Sequence, residues 1–168
     1  CPDNYSLPIA WRDNFECYDP FIISDIGDWI MYDLDGGTTW GANAVDFENE
    51  SYVGTGIVYN DMLATPTGGP IPEWDTYQGD QGLYFVASGA NSTTIPNDDW
   101  MISPEFSLSG ITSPIFSMKA KSVNDTYGLE RFQIAVGTST DYNDFTVISD
   151  GAYICLLYTS PSPRDGDE

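Results

Sequence analysis

Short stretches in which apolar and polar side chains alternate, cut by glycine or proline roughly every 10 to 20 residues, run along the whole chain. Period-two alternation sends successive side chains to opposite faces of a strand. The pattern therefore predicts strands and turns with almost no helix. Residues 21–26, 29–32 and 52–59 read as strands, and the second runs into the acidic turn Asp33-Leu34-Asp35-Gly36-Gly37. Residues 82–88 read as a central strand, and 100–103 as another that Pro104 stops. Strands over 115–121, 131–137 and 145–148 follow, with Phe132, Ile134 and Val136 expected to face inward. Proline and glycine mark 65–72 and 91–96 as loops. Many short strands at this spacing argue for an all-β sandwich or barrel.

Three pieces of sequence carry more than alternation. Trp11-Arg12-Asp13-Asn14-Phe15-Glu16 comes first, residues 29–36 second, and Asp98-Asp99-Trp100-Met101-Ile102-Ser103-Pro104 third. In this order they resemble the signature of the cleaved-adhesin or choice-of-anchor J family. Its pattern runs Asn-Phe-Glu, then a Trp-bearing strand into Asp-x-Asp-Gly, then Asp-Asp-Trp-Leu-Ile-Ser-Pro; Met101 stands where the pattern has Leu. The resemblance covers residues 11 to 149 and implies a MAM-like jelly-roll β-sandwich. It also implies a non-catalytic adhesion module of a secreted or cell-surface bacterial protein, acting beside other domains of the same polypeptide on a host protein or glycan. Residues 1–10 read as a lead-in or linker and 11–154 as the module, short of its last strands. Residues 155–165 resemble translated sequencing adapter, which sets 155–168 apart as a non-native tail.

Composition narrows the functions open to such a module. The net charge is -21, and setting aside Arg164, Asp165, Asp167 and Glu168 leaves 4 basic against 23 acidic residues. That surface repels nucleic acid and anionic membranes and attracts cations. There is no histidine, which removes the usual general base and the Ser-His-Asp and Cys-His nucleophile systems. No window approaches the roughly 18 apolar residues that span a bilayer, so membrane insertion is not expected. Of Cys1, Cys17 and Cys155, the first two are able to pair, and spacing alone leaves that open. The start at Cys1-Pro2-Asp3, without Met, suggests an interior piece of a longer protein.

The resemblance places a structural Ca2+ where the Asn-Phe-Glu and Asp-Asp-Trp segments meet, and so carries Glu16 and Asp98 into its ligand set. Asp33 and Asp35 join them from the Asp-x-Asp-Gly turn. Two carboxylates fixed beside buried aromatics repel unless a cation lies between them. Such acids also cap turns by accepting backbone N–H groups, and the residues alone leave both uses open. A second candidate surface is the segment with Trp74, Asp75, Tyr77 and Gln78, where rings stack on a sugar and polar groups bond its hydroxyls. Against that stands Trp74 as a plug in one end of the sandwich. Trp29, Trp40 and Trp100 read as core. The rival functions are a carbohydrate-binding module attached to a glycan-degrading enzyme, a purely structural spacer, and a hydrolase using paired carboxylates, for which no pair stands out among the acids.

Overall fold

The computed structural model of the chain describes residues 10–89, 97–123 and 130–156. The loop read at 91–96, most of the lead-in and the tail after 156 lie outside them. Contacts divide the chain into two compact units, Cys1–Ile115 and Phe116–Glu168, whereas the sequence suggests one module over 11–154. The first unit carries β1 (Ile30–Asp33), β2 (Val45–Asp46), β3 (Ile57–Asn60), β4 (Thr65–Pro66), β5 (Gln81–Tyr84) and β6 (Asp99–Ile102). The second carries β7 (Glu130–Phe132), β8 (Ala135–Val136), β9 (Thr146–Val147) and β10 (Ile154–Leu156). Helical geometry among the described residues is confined to the 3-10 turns Pro72–Trp74 and Tyr142–Asp144, and no helix there is long and apolar enough to cross a membrane.

The chain is β-rich, as its alternation predicts. Its strands pair antiparallel in five two-stranded ladders, β1 with β6, β2 with β4, β3 with β5, β7 with β10 and β8 with β9. Among the described residues these ladders do not join into two facing sheets. The bridges Thr38 to Val53 and Thr39 to Ser88 add single links between loops.

The first unit's core forms around β3, which is buried at all four positions rather than on one face. Ile57 and Val58 are fully enclosed and Tyr59 is 1% exposed. Each such side chain contributes about 1.5–3 kcal/mol by leaving water. Tyr59 stacks on Tyr84 at 4.3 Å and meets Phe21 and Phe47 edge-on at 6.0 and 5.4 Å, geometries that the ring quadrupole favours. The far end of β3 is closed by polar groups. Asn60 donates to the Gln81 side-chain oxygen, and Gln81 donates to the carbonyls of Phe15 and Tyr18 at 2.8 and 3.1 Å.

A second aromatic group holds the Trp11–Glu16 landmark. Trp11 packs edge-on against Trp29 at 5.2 Å and stacks on Phe106, while Phe15 stacks on Trp29 at 5.6 Å. Asp13 binds the group together. It accepts hydrogen bonds from the Phe15 amide, the Tyr18 hydroxyl and the Trp29 indole N–H. Burial first, and the hydrogen bond to Asp13 second, push the Tyr18 phenol up to about 12.

Several expected elements are absent or altered. Residues 21–26 are not a strand, because Phe21 and Asp25 take φ of +62° and +56° and turn the chain. Phe21 and Ile22 still exchange backbone hydrogen bonds with Val58. The strand expected over 52–59 begins only at Ile57, and that over 82–88 runs from Gln81 to Tyr84. Thr65–Pro66, expected to be loop, pairs with β2 as a two-residue edge where proline is tolerated. Residues 115–121 form no strand and lie open, Ile115 being 92% exposed. Residues 131–137 split between β7 and β8, which pair with different strands. Val136 faces outward as a result, at 51% exposure. Trp29 and Trp100 are half-buried, but Trp40 is 54% exposed and is not core. Cys17 is disulfide-bonded and Cys155 is a free, exposed thiol in β10; Cys1 lies outside the described residues.

Ile57→Ala is expected to cost about 3 kcal/mol of unfolding free energy, and Ile115→Ala no more than about 0.5 kcal/mol. Equilibrium urea unfolding reads both, and equal losses would place the core away from β3.

Candidate functional site

The acidic turn after β1 and the start of β6 meet because of strand register. In the β1–β6 ladder Ile30 faces Ile102, which leaves Asp33 directly opposite Asp99. Like charges opposite one another on a ladder are unfavourable, and here a third joins them. Carboxylate oxygens of Asp33, Asp35 and Asp99 all lie within 4.8 Å of one another.

Backbone donors fix two of the three. Asp33 accepts from the Gly36 amide at 2.6 Å. One oxygen of Asp35 accepts from the Gly37 amide and the Ser88 hydroxyl at 2.7 and 2.8 Å, and the other accepts from the Asp98 amide at 3.0 Å. Burial disfavours the Asp35 charge, but the Asp98, Ser88 and Gly37 hydrogen bonds outweigh it and hold the carboxyl below the usual range. Gly37 is required by this arrangement, since a Cβ there would collide with the Ser88 hydroxyl and the Asp35 carboxylate.

Asp99 is held differently. Its Oδ1 is buried with no hydrogen-bond partner, and Oδ2 receives only a long contact of 3.4 Å from the Asn97 amide group. Burial first, then the charges of Asp35, Asp33 and Asp98, push Asp99 up to about 7. The buried Tyr52 phenol beside it is raised as well, by burial first and then, more weakly, by the Asp99 and Asp33 charges.

These residues fit a hard divalent cation. Ca2+ takes carboxylate and carbonyl oxygens at about 2.3–2.6 Å, so two oxygens sharing one ion lie no more than about 5 Å apart. The three carboxylates meet that limit and supply no nitrogen or sulfur, the donor set of Ca2+ or Mg2+ rather than zinc. An ion there would offset the mutual repulsion and give the orphaned Asp99 oxygen a partner.

The structure brings together Asp33 and Asp35 of the expected ligands and adds Asp99. Glu16 does not join this cluster. One of its oxygens accepts from the Asp80 and Gln81 amides, both at 3.0 Å, so it caps the turn before β5. That turn needs Gly79, whose φ is +79° and whose missing Cβ makes room for the Glu16 carboxylate. Asp98 contributes through its backbone, its amide bonding Asp35 and its carbonyl accepting from Leu34, while its side chain is exposed. Asp99 stands next to the candidate chosen from sequence. Its signal is the ladder itself: a strand ending at Asp33, laid antiparallel on one starting at Asp99, aligns the two acids.

The expected sugar-binding group divides. Trp74 is half-buried and packs on the β3 core, while Asp75 caps the 3-10 turn and is exposed. Both line a cleft beside Tyr59, whereas Tyr77, 71% exposed, and Gln78 lie outside its lining.

Asp99 titrates higher in the folded chain than when unfolded. Between about pH 4 and 7 the native state keeps a proton that the unfolded state has lost, so this group makes stability fall as pH rises across that window. The uncharged Asp99→Asn variant is expected to lack the fall, and its advantage in metal-free buffer should grow across the window and then level. Urea unfolding over a pH series reads the difference; parallel curves would mean that Asp99 titrates as an ordinary carboxyl.

Compared with family models, curated proteins and solved structures, the chain matches none.

Proposed function

We propose that the chain is a calcium-stabilised, non-catalytic binding module of a secreted or cell-surface protein. Its architecture in this reading is a jelly-roll sandwich of the cleaved-adhesin or choice-of-anchor J kind, and its targets are a host protein or a glycan. The observation that carries the proposal is the Asp33, Asp35 and Asp99 cluster, in which one buried carboxylate oxygen lacks a partner. Two of these acids belong to the Asp-x-Asp-Gly piece of the resemblance and the third to Asp-Asp-Trp.

Other features support the same reading. The disulfide at Cys17 suits an oxidising compartment, where millimolar calcium loads weak sites. The absence of histidine removes the commonest acid-base catalyst. A strongly negative net charge suits recognition of a cationic partner.

Thermal and urea unfolding in EGTA and in calcium test the proposal. Calcium at about a hundred times its Kd should add about 2.7 kcal/mol. Asp33→Asn and Asp99→Asn should each abolish that increment. Glu16→Gln, which weakens the turn cap, should cost about 1–2 kcal/mol in both buffers and leave the increment intact. No calcium increment in the natural sequence would remove the metal from the reading.

A further inference from the structure

A cleft of about 240 Å³ opens beside the aromatic core. Trp74 gives it aromatic surface with the buried Tyr59 behind it, Pro70 and Pro72 wall it, and its charged side chains are Asp61 and Asp75. No lysine or arginine lines it. The cleft lies wholly within the first unit.

Its walls are built before any ligand arrives. Pro72 opens the 3-10 turn Pro72–Trp74, which is closed by hydrogen bonds from the Trp74 amide to the Ile71 carbonyl at 2.8 Å and from the Asp75 amide to the Pro72 carbonyl at 3.2 Å. The Tyr84 hydroxyl donates to the Trp74 carbonyl at 2.6 Å and pins this turn to β5. Asp61 accepts from the Thr76 amide and hydroxyl at 2.8 and 3.1 Å, which fixes the chain just after Asp75. Burial first, then the Asp61 and Asp75 charges, raise the Tyr59 phenol. Both carboxylates belong to residues that line the cleft beside Trp74.

Aromatic faces, an apolar wall and two carboxylates together are complementary to a cation on an aliphatic stem. The ring quadrupole attracts the charge, and the methylenes of lysine or arginine pack along apolar surface while the head reaches the acids. A neutral sugar ring would stack on Trp74 but would not neutralise Asp61 and Asp75. The net charge of -21 draws cationic partners from a distance. We propose that this cleft receives a lysine or arginine side chain presented by a partner protein, with the stem against Trp74 and the prolines and the cation against Asp61 and Asp75. This names the partner chemistry of the binding-module reading and rests on it, but it does not depend on the calcium cluster.

The experiment is a titration of isotope-labelled protein followed by amide and indole NMR shifts at Trp74, Asp75 and Thr76. The probes are Nα-acetyl-lysine amide, Nα-acetyl-arginine amide, the uncharged Nα-acetyl-norleucine amide, and neutral monosaccharides. Saturable shifts are expected from a cationic amide with Kd on the order of 1 mM. They should weaken about tenfold in Asp75→Asn, weaken with added salt, and be absent with norleucine. Trp74→Ala should also abolish them, but Trp74 packs on Tyr59, so Asp75→Asn is the decisive variant. Silence from both cationic amides, or an equal response to norleucine, overturns the inference. Shifts from a sugar alone also overturn it while leaving a binding module that recognises glycans; loss of the calcium increment is read separately, by unfolding.

Discussion

The pairing of β1 with β6 forces carboxylates together, and the acidic end of the first unit is arranged around that constraint. Once Ile30 lies against Ile102, the ladder has no freedom to separate Asp33 from Asp99. Asp35 is held beside them by the Gly37, Ser88 and Asp98 donors. The chain meets the repulsion unevenly. Asp35 receives three donors, from Gly37, Ser88 and the Asp98 amide, and stays ionised, while Asp99 is left half-buried with an orphaned oxygen and a raised pKa of about 7. Such a division of roles within one cluster is the arrangement in which a cation gains most, because one ligand is preorganised and another is costly without it.

That acidic cluster is separated in kind from the core it adjoins. β3 is enclosed on both faces and gathers Phe21, Phe47, Trp74 and Tyr84 around Tyr59. Polar side chains then tie this core to distant sequence. Gln81 reaches the carbonyls of Phe15 and Tyr18, and Glu16 caps the amides of Asp80 and Gln81. The Trp11–Glu16 segment and the turn before β5 thereby position each other. Trp74 serves two environments at once, with part of its surface on the core and part on the cleft.

Much of the local structure was legible along the chain. Alternation located β1, β3, β5 and β6 to within a few residues, and Pro104 marks the end of β6. The misses have particular causes. Phe21 and Asp25 adopt left-handed φ values, unusual for a phenylalanine, so a segment that looks extended bends. Residues 115–121 carry a strand-like pattern but form no strand, since side-chain alternation alone does not set a ladder. Gln133 and Ile134 interrupt an unbroken alternation because β7 and β8 answer to different partners.

By itself the sequence determined that the chain is β-rich, strongly acidic, without histidine, and furnished with carboxylates at the turn after β1 and beside Trp100. Those properties depend on residue type and near neighbours, where period-two patterning and turn chemistry act. Only the tertiary structure decided what each acid does. Glu16 and Asp33 share the same chemistry, yet one caps a turn 64 residues away and the other stands opposite Asp99. Asp98 and Asp99 are alike as a local pattern, but adjacent residues on a strand point to opposite faces, and which of them meets Asp33 is set by register, a long-range property that no local pattern encodes.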